Sequence, residues 1–98
     1  MEAVMAQNTD LNIPANAWTQ LTDADVAQIT FQNKGGTHIF VSATTDATAP
    51  TTFAGAARYN PGQGEKNVLL SDIWPGLSGR DRVWAYAYSP VTVFVSHA

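Results

Sequence analysis

Short runs in which apolar and polar residues alternate recur along most of this chain. In the run VAQITFQN, Ile29 and Phe31 lie on one side and the polar Thr30 lies on the other. A period of two is typical of a β-strand with one buried face. A shorter run, AWTQLT, precedes it, and further runs follow at THIFVSAT, NVLLSDIW, RVWAYAY and VTVFVSH. The pattern therefore predicts a series of short strands.

Stretches rich in Gly and Pro separate these runs and predict their connections. The Gly pair in NKGGT indicates a tight turn, so we expect residues 26–33 and 37–44 to form a hairpin. The connection TTDATAPTTFAGAARYNPGQGEK is long for a compact domain, and we expect it to contain a short strand at 54–59, ended by the Asn-Pro-Gly turn. Signals for helices are nearly absent. Six to eight strands separated by such turns predict an all-β fold, a single antiparallel β-sandwich or jelly-roll-like domain over residues 17–98.

The N-terminal residues 1–16 are rich in Ala, Asn and Gln and show little periodicity. We interpret them as an extended arm that precedes the sandwich. Terminal segments order poorly without a partner, so the arm is either frayed or laid on a neighbouring subunit.

The C-terminal stretch RVWAYAYSPVTVFVSHA has two apolar faces in its first half. Val83, Ala85 and Ala87 alternate there with three aromatic rings. Whether the following valines share a face with the rings depends on the loop at Ser89-Pro90 in a hairpin of residues 82–88 and 91–97. The fixed φ of proline disfavours a two-residue turn, so we favour an odd register in which valines and alanines form the core and the rings face outward.

An outward-facing row of rings needs cover, and two explanations remain open. Interfaces are rich in Trp and Tyr, so a contact between subunits is favoured over a platform on which sugars stack. We expect Trp18 and Trp74 to lie in the core. The predicted interface residues are Trp84, Tyr86, Tyr88, Phe94 and Phe40.

Composition agrees with a protein that makes permanent contacts. Of the 98 residues, 45% are hydrophobic and only 13% are charged, about half the ~25% charged share of an average soluble domain. The net charge is −3 and the five basic residues are scattered, so nucleic-acid binding is not expected. The N-terminus lacks the features of a signal peptide and no apolar run approaches the length of a membrane helix. We therefore expect synthesis in the cytoplasm and no insertion into a membrane.

Residues with catalytic or metal-binding chemistry are few and dispersed. His38 and His97 are isolated on predicted strands, where we expect both on an outer face, and Asp23 and Asp25 lack the other elements of a calcium loop. The chain has no cysteine and no G-x-S-x-G motif. The remaining carboxylates considered for a paired site lie in turn-like stretches: Glu65, Asp72 and Asp81. We predict no enzyme activity, no metal and no cofactor.

Three stretches together resemble a known group of proteins: WTQLTDADVAQITFQNKGGTHIFVSAT, GAARYNPGQGE and RVWAYAYSPVTVFVSHA. They are similar to small β-sandwich structural proteins of tailed phages and of phage-like particles such as gene transfer agents. The resemblance covers residues 17–98, and it implies a place in the virion as head decoration, head-fibre base or tail component, without carrying over any functional residue. It also implies symmetric homo-oligomers, with trimers or pentamers favoured, and contacts to capsid or fibre proteins. A cell-surface glycan is the alternative partner.

Overall fold

The computed structural model of the chain describes residues 7–23, 25–75 and 82–97, which form eight strands and one short helix. The elements are β1 Gln7–Ile13, β2 Thr19–Gln20, β3 Gln28–Asn33, β4 Ile39–Thr44, β5 Ala57–Tyr59, β6 Gly64–Leu69, α1 Leu70–Ile73, β7 Arg82–Tyr86 and β8 Val91–His97. The prediction of an all-β fold with short strands is confirmed. No helix in these described ranges is long and apolar enough to span a membrane.

The strands form two antiparallel sheets of four, which pack into a sandwich. Sheet 1 has the order β1-β8-β3-β6 and sheet 2 has the order β2-β7-β4-β5. Along the chain, every connection between strands crosses from one sheet to the other, except the one between β4 and β5. This arrangement of eight strands is that of a jelly roll, one of the two sandwich forms predicted.

The core lies between the sheets, where both contribute their inward-facing residues. Alternate positions of β3 and β8 are buried, as the burial of Ile29, Phe31 and the valines of β8 shows. Sheet 2 adds smaller residues, among them Ala85 and Ala87, which leave room for the larger side chains opposite. The remaining members of the buried core are Ile13, Leu21, Val26, Ile39, Val41, Tyr59, Leu70 and Val83.

The hairpin predicted for residues 26–33 and 37–44 is wrong. The strand β3 pairs with β6 and β8 in sheet 1, whereas β4 pairs with β5 and β7 in sheet 2. Where the chain crosses from sheet 1 to sheet 2, the backbone at Gly35 lies close to β8. A Cβ at this position would lie 2.5 Å from the Cβ of Val91, so the position needs glycine. The side chain of Asn33 holds the crossing by accepting a hydrogen bond from the Gly35 amide and donating one to the Thr37 carbonyl.

The C-terminal hairpin is also wrong, although the predicted faces are right. The strand β7 pairs with β2 and β4, and β8 pairs with β1 and β3, so Ser89 and Pro90 carry the chain between sheets. The question of their mutual register therefore does not arise. Val83, Ala85 and the valines of β8 nevertheless face the core from opposite sides, and the alternate positions of β7 face outward.

The predicted N-terminal arm is part of the sandwich over residues 7–13. All seven residues of β1 pair with β8 in an unbroken register from Gln7↔His97 to Ile13↔Val91. This segment is a strand of the chain's own sheet, and the boundary predicted at residues 16 and 17 falls inside the domain. Its sequence looked weakly patterned because only Leu11 and Ile13 point an aliphatic side chain toward the core. Residues 1–6 lie outside the described part of the chain.

The long connection after β4 contains the short strand that was predicted within it. That strand, β5, is confined to Ala57–Tyr59 and is followed by the expected turn at Asn60, where Gly62 adopts a φ of 85°. The run NVLLSDIW is only partly a strand, since β6 begins earlier, at Gly64, and gives way to α1 after Leu69.

Candidate functional site

Six side chains form a continuous aromatic cluster on the outward face of sheet 2. We call it the ring cluster, and its members are Trp18, His38, Phe40, Phe53, Tyr86 and Tyr88. Neighbouring centroids lie 4.8 to 6.3 Å apart, and most of the pairs meet edge to face or tilted. This is the favourable geometry for rings whose quadrupoles attract, and such pairs stabilise a protein by about 0.5–1.5 kcal/mol each.

Strands supply two of these rings, residues just outside strand ends supply three, and a loop supplies the central one. Tyr86 ends β7 and Phe40 lies opposite it on β4. Phe53 comes from the connection between β4 and β5 and contacts four rings, with its closest centroid that of Tyr86 at 4.8 Å. The same connection is held near its end by Trp74, whose indole Nε1 donates a hydrogen bond to the Gly55 carbonyl over 3.0 Å. The chain therefore covers part of its own ring face.

The loop leaves one edge of the ring cluster open to solvent. Tyr88 is 54% exposed and Phe53 is 41% exposed, while the other rings are half-buried. The structure brings together three of the five predicted interface residues here: Phe40, Tyr86 and Tyr88.

The other two predicted interface residues lie elsewhere. Trp84 is only 7% exposed, and its Nε1 donates a hydrogen bond to the Thr44 hydroxyl over 2.8 Å, so a partner does not reach it. Phe94 lies on β8 and faces outward from sheet 1. It therefore stands on the opposite side of the sandwich from the rings it was grouped with, because the two strands belong to different sheets.

The expectations for the other two tryptophans also need correction, and two members of the ring cluster were not among the predicted interface residues. Trp18 was expected in the core but contacts Phe53 and Tyr86 in the ring cluster. Trp74 does pack against the core, although it is only partly buried. His38 was missed, and its position two residues before Phe40 on the same face was the available signal. Phe53 carried no such signal, because it lies in an irregular loop.

The outward face of sheet 1 is mostly polar, with the exposed Leu69 on β6 and with Phe94 as its one aromatic side chain among the described residues. Hydroxyl and amide groups surround this ring, and some bond to one another, as Ser96 does to Asn8. Two depressions of about 440 and 310 Å³ lie on this face and share Thr30 in their walls. Phe94 lines the smaller one, and we call the pair of depressions the amide cleft.

The two histidines occupy different environments. His38 lies beside Phe40 and Tyr88, with centroids at 5.2 and 5.9 Å, on the outward face as expected. The expectation is wrong for His97, whose side chain is fully buried and whose Nε2 lies 3.2 Å from an Asp23 carboxylate oxygen. The alternation along β8 explains this, since His97 continues the inward row of valines.

The acidic side chains engage separate partners. Asp25 accepts a hydrogen bond from Arg82 over 2.7 Å, and Glu65 accepts one from the Tyr59 hydroxyl over 3.0 Å. Burial, with this hydrogen bond and the nearby negative charge, raises the pKa of Tyr59 well above its ordinary value. Asp72 is exposed on α1, and Asp81 lies outside the described residues. Within residues 7–23, 25–75 and 82–97, no three His, Asp or Glu side chains are grouped as ligands for a metal ion.

No protein-family model, no curated protein and no solved structure matches this chain.

Proposed function

We propose that this chain is a non-enzymatic structural subunit of a phage-like particle. In this role it decorates the capsid or forms the base of a head fibre or spike, and it acts through symmetric contacts between copies. The alternative within the same proposal is that the chain is a tail or baseplate component of the particle. The resemblance described for residues 17–98 is the source of the particle assignment, and the exposed part of the ring cluster is the observation that supports a contact role.

The exposed edge of the ring cluster has the composition of a protein contact. Tyr88 and Phe53 lie next to each other with centroids 6.3 Å apart and are the two most exposed rings. Among the described residues of β2, β4, β5 and β7, two side chains are charged, Arg58 and Arg82. Arg82 forms an ion pair with Asp25, whereas no carboxylate partner is described for Arg58. Aromatic rings combined with few charges distinguish interface cores from ordinary surface.

A second copy of the chain fits this edge better than a sugar does. The rings meet one another at steep angles, for example 84° between Phe53 and Tyr86, so they offer a mixture of edges and faces. A sugar platform needs an accessible flat face, and Trp84, the largest ring expected there, is buried. A second copy brings its own edges and faces, and in a cyclic trimer or pentamer the contact is head to tail, so this edge packs against a different patch of the neighbouring copy.

The size of the exposed edge determines how strong this contact is. Two exposed rings and their half-buried neighbours amount to a few hundred Å², less than the ~800 Å² that each partner buries in a standard stable interface. We therefore expect weak association in dilute solution. Inside a particle, several such contacts act together and their effective concentration is high, which strengthens the assembly without new chemistry. Jelly rolls are used by viral capsid proteins, a likeness of architecture that agrees with this role.

Sedimentation velocity over a wide range of concentration tests the contact. We expect the chain to pass from monomer to a trimer or pentamer as concentration rises, and Tyr88→Glu to shift that transition upward about tenfold or more, since it places a charge in an apolar contact. The matched control is Gln28→Glu, which adds the same charge to the exposed outward face of sheet 1 and leaves the transition unchanged. A chain that stays monomeric up to about 1 mM contradicts the contact.

The particle assignment has a separate test. Antibody labelling of purified particles from the source organism is expected to decorate their heads or tails, and the gene is expected beside capsid, portal or tail genes. A gene in an unrelated neighbourhood, together with particles that bind no antibody, contradicts the assignment.

A further inference from the structure

We propose that the amide cleft on the outward face of sheet 1 binds a neutral saccharide. This inference does not depend on the role in a particle or on the ring cluster, because it concerns the opposite face of the sandwich. Its experiment can therefore fail while the proposed function stands, and the reverse is equally possible.

The cleft is built around a single ring in polar surroundings. Phe94 is half-buried on β8 between the hydroxyl-bearing Thr92 and Ser96. Its partner across the sheet on β3 is Gln32, with Asp10 on the other side on β1. One aromatic face bordered by a few polar groups is the usual composition of a site for a small ligand.

The shape of the cleft comes from backbone features of the neighbouring strand. Gly62 and Gly64 line the smaller depression and put no side chain into it. At Gly64 a side chain is excluded, because a Cβ would lie 1.9 Å from the Phe31 carbonyl oxygen. The pairing of β3 with β6 then shifts register between Ile29 and Phe31, and Asn67 adopts a φ of 47°. Bulges and left-handed residues of this kind re-aim side chains and are frequent beside binding sites.

The polar groups of the larger depression are amides and hydroxyls. Its polar lining residues are Asn8, Gln28, Thr30, Asn67, Ser96 and His97. A side-chain amide offers both donors and an acceptor, and a hydroxyl does the same, so this set matches ligand hydroxyl groups that also donate and accept. The volumes of about 440 and 310 Å³ fall in the range of ligand clefts, and the shared Thr30 makes the two depressions neighbours.

The charges around the cleft favour a neutral ligand. Asp10 is neutralised by Lys34, whose Nζ lies 2.9 Å from its carboxylate oxygen. Lys66 and Glu65 both border the smaller depression, so its lining carries one positive and one negative residue. A phosphate or a nucleic acid needs several cations, which the described part of this face does not offer. A saccharide supplies hydroxyls for the amides and a side of weakly positive C–H groups for the negative face of Phe94.

Titration followed by NMR tests the proposal on the full chain. A panel of neutral oligosaccharides built from glucose, galactose, mannose and N-acetylhexosamines is screened on an array, and the best member is added up to about 10 mM, above a weak Kd of ~1 mM. We expect the side-chain amide signals of Asn8, Gln28, Gln32 and Asn67 to shift together. Phe94→Ala is expected to weaken binding about tenfold or more, because the stacking ring is lost.

Two further variants keep the result interpretable. Gln32→Ala removes an exposed amide and is expected to weaken binding without changing the fold, which covers the case in which Phe94→Ala does not fold. Tyr88→Ala removes the most exposed ring of the ring cluster and is expected to leave the affinity unchanged. A panel in which no saccharide shifts these signals overturns the proposal, as does binding that depends on Tyr88 rather than on Phe94. A shift of the same signals on self-association alone also overturns it, since the occupant is then a second copy.

Discussion

The two outward faces of this sandwich have opposite chemistry, although their strands share one core. Five aromatic side chains lie on the outward face of sheet 2, and Phe53, from the loop between β4 and β5, packs onto four of them. Sheet 1 turns mainly amides and hydroxyls outward, with Phe94 as its single ring among the described residues. An apolar face needs cover, from its own chain or from a partner, whereas a polar face can stand in water.

This difference shows that the alternation of apolar and polar residues indicates which side chains face the core but not how the two outward faces differ in chemistry. Inward positions of both sheets are mostly aliphatic, with the rings of Phe31 and Tyr59 among them, and they form one shared core. Outward positions separate the sheets into a face that packs and a face that forms hydrogen bonds. The most informative variants therefore change one face and leave the other intact.

The largest effect on the free energy of unfolding is expected at Gly64, where the backbones of β6 and β3 lie in close contact. Gly64→Ala places a Cβ against the Phe31 carbonyl and the Gln32 Cα, so β6 has to move away from β3. We expect the free energy of unfolding to fall by roughly 4 kcal/mol or more, measured by urea denaturation. The control is Gly36→Ala, where a Cβ meets nothing within 4 Å and where we expect a change within about 0.5 kcal/mol. Equal effects of the two substitutions would contradict the steric argument.

The next effect is expected at the residue that ties the two sheets together. Asn33 is fully buried, and its amide donates hydrogen bonds to the Thr37 and Tyr59 carbonyls and accepts one from the Gly35 amide. Asn33→Ala leaves these groups without their partner, and we expect a loss of about 3 kcal/mol in the free energy of unfolding.

Asn12→Ala is the matched control for Asn33, because it removes an exposed amide from the polar face and is expected to change stability by less than about 0.5 kcal/mol. A small effect at Asn33 would mean that the crossing from β3 to β4 does not depend on its side chain.

A pair of Phe substitutions compares the faces directly. Phe53→Ala removes four ring contacts from the ring cluster, and we expect a loss of about 1–2 kcal/mol because this ring is 41% exposed. Phe94→Ala removes a ring bordered by polar groups and is expected to cost less than about 1 kcal/mol. Thermal unfolding of both variants measures the difference. The reverse order would show that the loop does not stabilise the ring face.

The smallest effect concerns the contact between the sheets at Tyr59. Its pKa is raised in the folded state, so below pH 10 both states hold the proton and the stabilisation is fully present. Above pH 10 the unfolded chain releases the proton while the folded chain keeps it, and stability falls as pH rises. Tyr59→Phe lacks this dependence. We expect it to be about 1 kcal/mol less stable at neutral pH, through loss of the bond to Glu65, and to lose less stability than the wild type between pH 10 and 11.

Urea denaturation at pH 8, 10 and 11 measures this difference. Curves for the wild type and Tyr59→Phe that stay parallel across this range would show that the Tyr59 hydroxyl ionises as easily in the folded chain as in the unfolded one.

The sequence predicted the features that depend on neighbouring residues of one segment, namely which side of a strand a residue faces and where a strand ends. The alternation in VAQITFQN and in VTVFVSH predicted that Ile29, Phe31 and the valines of β8 face inward, although not that His97 does, and the Asn-Pro-Gly turn predicted the end of β5. It did not predict strand partners, because a Gly pair or a Ser-Pro step permits both a hairpin and a crossing between sheets. Partners depend on contacts such as those of Gly35 with Val91, which join residues distant in the chain.

For the same reason the candidate sites were only partly predicted. Phe40, Tyr86 and Tyr88 were grouped correctly by their outward positions. Phe94 was assigned to the same surface only through the assumed C-terminal hairpin. Phe53 and the amide cleft had no local signal, since the first lies in an irregular loop and the second arises where four strands meet.

The position of β8 sets the order in which the protein can form during synthesis. It is the last of the eight strands in chain order, yet it lies between β1 and β3 in sheet 1. The strand β1 is therefore made before its partner β8 and stays without that partner until β8 has been synthesised. Pairing between such distant segments is slow, and an unpaired strand is prone to aggregate in the interval. The polar residues that β1 carries along its outward side are suited to keep the waiting segment soluble: Asn8, Asp10 and Asn12.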